Sequence, residues 1–213
     1  REGRINEAPF TEMAALIPAL AQEMLPALDR AFAFFGHSMG ALISFELAPY
    51  LRRVHGLQPS RLFISGRGAP RPSEVRKPSP PVTSEALFDY ARRLKKNYGG
   101  AFDDAELRNL LLPILRADLA VCDSYSYTAG EPLDCPFSVF SGAQESGLDE
   151  RGLAGWRELT TGAVTEQTFP GDHFFLNSAR PVLLETVSAE LGRIISTHRL
   201  KNSAAIFAPR PNS

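Results

Sequence analysis

Two hydrophobic rhythms alternate along the chain. From about Phe10 to Leu28, Met13, Leu16, Ile17, Leu20 and Met24 recur at helical spacing. Pro18 and Pro26 interrupt that stretch, so a kink or break is expected there. Ala31–Phe35 is an apolar run closed by Gly36. It is too short for a helix and reads as a buried strand. Met39–Leu51 reads as a helix ending in Arg52 and Arg53, cations that suit a helix C-terminus. Further strands are expected at Arg61–Ser65, Phe137–Ser141 and Thr165–Phe169. Leu148–Thr160, with Trp156, reads as a helix. Pro181–His198 reads as an amphipathic helix whose apolar residues are Val182, Leu184, Val187, Leu191, Ile194 and Ile195. The tail after Leu200 shows no pattern and is expected to be loose.

The rhythm changes between residues 67 and 130. Residues 67–82 are rich in Pro and charge and read as a loop. Residues 84–127 carry two or three helical patterns, with Ser84 starting one and Asp103 or Asp104 capping another. Elsewhere strand and helix alternate, the signature of a mostly parallel sheet with helices on both faces. The expectation is one α/β domain over residues 1–213, with a helical insertion over about 70–130.

Composition narrows the function classes. The length of 213 residues suits one domain. A formal net charge of −1 argues against a general nucleic-acid binder, which needs a basic surplus to neutralise phosphates. Apolar runs stay too short for a membrane span, and the first residues lack the apolar segment of a signal peptide. Cys122 and Cys135 form no paired motif, so they read as small buried apolar residues in a protein of the reducing cytoplasm. The chain begins with Arg1, which raises the expectation of a fragment.

The chemistry concentrates at Gly36-His37-Ser38-Met39-Gly40, between a strand and a helix. Gly-x-Ser-x-Gly in that setting is a nucleophile elbow, a tight turn that lifts the serine clear of the sheet. Both flanking positions are expected to need glycine. The helix behind the serine offers backbone N–H groups to an anion. A serine needs a base. His37 lies within the turn and is expected to pack, His55 to lie in a surface loop, and His198 falls near the tail. His173, after the last strand, is where a base belongs in the order serine, acid, histidine. The acid should follow the strand Phe137–Ser141, where Glu145 comes first and Asp149 is the alternative. Asp172 adjoins His173 too closely to orient it.

Several segments together resemble one family. They are PFTEMAALIPALA, FAFFGHSMGALISFELA, LFISGRGAP, ELRNLLLPILRADLAVCDSYSY, PLDCPFSVFSG, GWRELTTG and FPGDHFFL. From about Pro9 to Leu191 the chain resembles the type II thioesterases, α/β-hydrolases that accompany nonribosomal peptide and polyketide synthases. The resemblance implies hydrolysis of acyl or peptidyl groups from the phosphopantetheine thiol of carrier proteins, an editing role, with no metal or diffusible cofactor. It implies Ser38 as nucleophile, His173 as base, Glu145 as acid, the Met39 N–H as an oxyanion donor, and residues 70–130 as a lid. Glu145 departs from the family, which usually carries Asp there. The chain also resembles the family with its N-terminal portion missing, including strands and a loop that supplies a second oxyanion donor. A general serine carboxylesterase and a non-catalytic carrier-binding relic are the alternatives. Arg92, Arg93, Lys95 and Lys96 would either meet an acidic carrier or form a solvated helix face. Arg67 would border the site or carry a surface charge, and Trp156 would anchor its helix by packing.

Overall fold

The structure, a computed structural model, describes residues 4, 7–71, 105–145, 148 and 150–206. Its centre is a parallel sheet of β1 (Phe34–His37), β2 (Leu62–Ser65), β3 (Phe137–Gly142) and β4 (Val164–Phe169), side by side in that order. The alternation of side chains along each strand splits the interior in two. Phe34, Leu62, Ile64, Phe137 and Val139 enter one core, with residues of α1 (Met13–Met24), α2 (Met39–His55) and α3 (Ala105–Ser124). Phe63, Phe140 and Phe169 enter the other, with Phe175 of α5 (Phe175–Ser178) and Leu183 of α6 (Arg180–Ile206). Helices therefore cover both faces, as the pattern predicts.

Trp156 pins the first core. It is fully buried, meets Phe45 and Phe137 edge-on, and donates its indole N–H to the Arg67 carbonyl at 2.9 Å. Burial of that ring with its one polar atom satisfied is what an aromatic anchor requires. Cys122 and Cys135 are buried, and neither is in a disulfide.

Several expectations need correction. Pro18 does not break α1, because Met13, Ile17 and Ala21 keep one face buried on both sides of it. Packing there outweighs the roughly 3 kcal/mol that an interior proline costs. Pro26 instead lies in a single 3-10 turn, Leu25–Ala27. The first strand is displaced towards the C-terminus, runs through Gly36, and ends at His37 paired with Ser65. Phe35 is 44% exposed, because among the described residues β1 pairs with β2 on one side alone. α2 passes Pro49 and ends at His55, where Gly56 closes it in the left-handed region at φ 64°.

The helix expected at Leu148–Thr160 is a short α4 (Glu150–Ala154) followed by a 3-10 segment, Gly155–Leu159. A Cβ at Gly155 would come within 2.9 Å of the Ala69 Cβ, so the chain approaches too closely there for a larger residue. α6 corrects the expected apolar side. Leu183 is buried, whereas Val182, Leu184, Leu191 and Ile195 are exposed. The helix docks through Leu183 and Val187, one turn apart, and through Arg61, whose guanidinium lies 3.3 Å from Glu190. It continues to Ile206, beyond the expected start of a loose tail. The first helix expected in the insertion, the basic residues Arg92, Arg93, Lys95 and Lys96, the cap candidates Ser84, Asp103 and Asp104, and Asp149 lie outside the described residues.

Candidate active site

Ser38 sits between β1 and α2 with φ 55° and ψ −113°. Among the described residues it is the one non-glycine with positive φ. Such a backbone costs on the order of 1–3 kcal/mol and persists only where its surroundings impose it. Here the Ser38 N–H donates to the Ser65 carbonyl at 2.8 Å, and the Ser38 carbonyl accepts from Ala41 at 3.1 Å. Gly36 is dictated by the turn, since a Cβ there would lie 2.1 Å from the Gly40 carbonyl oxygen. Gly40 is not: a Cβ there would meet nothing within 4 Å, so the expectation of two obligatory glycines holds at one. Met39 opens α2, whose first N–H groups have no acceptor within the helix.

The loops after β3 and β4 form the other half of the site. Glu145 and His173 are 28 residues apart in sequence, yet His173 Nδ1 lies 2.5 Å from Glu145 Oε1. The Glu145 side chain is only 2% exposed, and its Oε2 accepts the Gly142 N–H at 3.2 Å. Burial pushes this carboxyl up. The hydrogen bonds from His173 and Gly142 and the nearby imidazoles outweigh it, holding the group below its ordinary value. Gln144 ties the two loops together. Its side-chain oxygen accepts the Gly171 N–H at 2.8 Å and its backbone N–H donates to the Gly171 carbonyl at 2.9 Å. A Cβ at Gly142 would strike the Asp172 carbonyl at 2.3 Å, and Gly171 adopts φ 125°. Asp172 turns its carboxylate to the Phe174 N–H at 2.9 Å, away from the role of orienting His173.

His37 is more than a packing residue of the turn. Its ring lies against that of His173, with centroids 4.8 Å apart, and its Nδ1 is 2.9 Å from Ser65 Oγ. Burial, reinforced by His173 and opposed by Glu145, pushes its imidazole down to about 4. Ser65 and Gly66 were not anticipated as parts of the site. Nothing in a sequence marks a serine and a glycine at a strand end as supports for imidazoles contributed by other strands. His55 ends α2 rather than lying in a loop, and its ring is 6.2 Å from Tyr50. His198 is on α6.

A cavity of about 490 Å³ opens beside Met39, between α1, α2 and α3. Its apolar wall includes Leu16, Leu20, Ile43, Pro113 and Ile114. Among the described residues, no group of three or more His, Cys, Asp or Glu is placed to hold a metal ion. No described helix is long and apolar enough to cross a membrane. The arrangement is a serine on a strained turn, a helix N-terminus, a carboxylate–imidazole pair and an apolar cavity. That set is suited to acyl transfer from an activated acyl group.

Comparison with known proteins decides the family, because residues 1–191 match the thioesterase domain family. The chain belongs to that family. It is 37% identical over 196 residues to the gramicidin S biosynthesis protein GrsT of Aneurinibacillus migulanus, covering 92% of this chain and 77% of that protein. Two solved structures agree in fold. One is the type II thioesterase BorB from the borrelidin biosynthetic cluster, with TM-score 0.78 and 30% identity over 90% of this chain and 78% of that one. The other is RedJ, a thioesterase of the prodiginine pathway in Streptomyces coelicolor, with TM-score 0.79 and 36% identity over 89% and 76%. This thioesterase is thus an α/β-hydrolase in architecture, and its family acts on thioesters.

Proposed function

We propose that this thioesterase removes acyl or peptidyl groups from the phosphopantetheine thiol of carrier proteins, as an editing enzyme of nonribosomal peptide or polyketide synthesis. Ser38 is the nucleophile, His173 the base and Glu145 the orienting acid. The observation that carries the reading is the contact of His173 with the buried side chain of Glu145, in the same site as a serine held at positive φ. With Nδ1 engaged by Glu145, Nε2 of His173 is the nitrogen left to move protons.

Ser38 Oγ attacks the thioester carbonyl carbon while His173 Nε2 takes its proton. The oxyanion faces the Met39 N–H at the start of α2. As the carbon–sulfur bond breaks, His173 returns the proton to the departing sulfur, leaving the acyl group on Ser38. Water then attacks that ester, giving a proton to His173, which passes it to Ser38 Oγ as the free acid leaves. Glu145 stabilises the imidazolium in both halves. The cavity beside Met39 takes the acyl chain, and residues 70–130, including α3, act as its lid. The carrier-linked substrate is supported by the relatives from biosynthetic clusters. A cytoplasmic setting is supported by two buried cysteines that are not joined in a disulfide.

The test pairs two measurements. A fluorophosphonate should label the chain at one serine and leave Ser38→Ala unlabelled, with kcat for thioester hydrolysis down by roughly 10⁶ in that variant. Turnover should be faster on an acyl group carried by a holo carrier protein than on the same group on a small thiol. Labelling that survives Ser38→Ala removes the nucleophile assignment. Equal turnover of the two substrates removes the carrier protein.

A further inference from the structure

We propose that His37 is a positioning residue for His173: its ring, fixed by Ser65 and backed by Gly66, is the floor that holds the base in the orientation proton transfer needs. The inference rests on the catalytic reading above and adds a part to it.

Three observations place the ring there. First, the His37 and His173 rings are in contact, with centroids 4.8 Å apart and planes inclined by 43°. Phe175 meets His37 edge-on at 5.9 Å, so the ring is packed from a second side. Second, the plane of His37 is set from below by the contact of its Nδ1 with Oγ of Ser65, a residue with no exposed surface. Third, Gly66 is shaped to both rings. A Cβ there would lie 2.7 Å from His37 Cε1 and 3.3 Å from His173 Cε1, and its φ of 60° disfavours any side chain. One glycine thus leaves room for two imidazoles, one from the end of β1 and one from the loop after β4.

The electrostatics agree with a floor that carries no charge. The titratable groups whose charge bears on His37 are His173 and Glu145, and its other neighbours Ser65, Gly66, Phe174 and Phe175 are neutral. Burial pushes the His37 imidazole down to about 4, which leaves it unprotonated near neutral pH. A cation at this distance would oppose the imidazolium that His173 must become, and a neutral ring does not. His37 Nε2 is buried and makes no hydrogen bond of good geometry among the described residues, and the His173 backbone lies near enough to act on the ring, so the floor meets both the ring and the main chain of His173. Glu145 fixes one edge of His173 and leaves rotation about that bond open; the floor removes it.

The experiment compares His37→Phe, which keeps a ring, with His37→Asn, which keeps a polar group near Ser65 and removes the ring. His37→Asn should lower kcat by about 10- to 100-fold with KM within about twofold, the size of effect that a misplacement near 1 Å produces. His37→Phe should keep kcat within about fivefold of wild type. Gly66→Ala, which pushes both rings without altering His37, should lower kcat like His37→Asn. Fluorophosphonate labelling of Ser38 should slow in the same order. Equal kcat in the two His37 variants, or a loss confined to KM, overturns the floor. If His37→Asn does not fold, His37→Phe decides: a kcat loss beyond about tenfold with folding intact overturns the proposal. Failure of the catalytic reading looks different, because labelling and turnover would then survive Ser38→Ala.

Discussion

The turn that carries Ser38 and the loop that carries His173 reach the same site by opposite means. Ser38 is placed by its own backbone. Apart from the hydrogen bond of its N–H to the Ser65 carbonyl, the constraint lies within a few residues, in the clash that forbids a Cβ at Gly36 and in the turn into α2. His173 is placed by residues distant in sequence: Glu145 and Gln144 from the loop after β3, and His37 and Gly66 from the ends of β1 and β2. A local constraint survives most changes elsewhere in the molecule. A constellation assembled from four strand ends depends on the sheet register that brings them together, here Gly36 with Ile64, Ser65 with Phe140 and Gly142 with Phe169.

The contrast can be broken at either end. Glu145→Gln removes the counter-charge of the imidazolium and the control of its tautomer, and should lower kcat by about 10⁴ with the fold intact. Steady-state hydrolysis beside a melting curve measures both. A loss below tenfold would mean that the distant contacts do not place the base. At the other end, Gly36→Ala should destabilise the chain by about 3 kcal/mol, the upper range for overpacking, because the nearest atoms are backbone and cannot give way. Chemical denaturation reads that cost directly.

Acid sharpens the comparison. The imidazole of His37 has an ordinary value of 6.5 and is pushed down to about 4 in the fold, chiefly by burial. Between those values the unfolded chain binds a proton that the native one does not. The stabilisation is therefore complete above pH 6.5 and is lost as pH falls through 4. It amounts to about 3 kcal/mol at most. Wild-type stability should fall across that window, and His37→Phe should flatten the fall. Glu145 is held below its ordinary 4.5, so its contribution is complete above that value and is lost as pH falls below it. The smallest effect belongs to Gly40→Ala. It meets open space in a helix and should stabilise the chain by up to about 1 kcal/mol, leaving the turn that Gly36 requires unchanged.

Periodicity made the strands, the parallel sheet and the two-sided covering legible, because alternation of side chains and the lengths of apolar runs are local properties. The elbow was legible for the same reason, since a strand, two glycines and a helix start lie within one short stretch. Glu145 and His173 could be nominated by chain order. Their contact, its burial and the turning away of Asp172 come from the packing of two loops. The boundaries that sequence misplaced are the ones tertiary contacts govern. Pro18 sits inside a helix held by its buried face, the helix expected at Leu148–Thr160 gives way to a 3-10 segment at Gly155 where the chain packs close to Ala69, and α6 docks on Leu183 and Val187 rather than on the more numerous apolar residues of its other side. Sequence alone settled which residue types stand where a backbone turn demands them. Only the tertiary structure decided which side chains meet, because His37, Ser65 and Gly66 become parts of one site through strand pairing, and pairing leaves no mark on the residues it brings together.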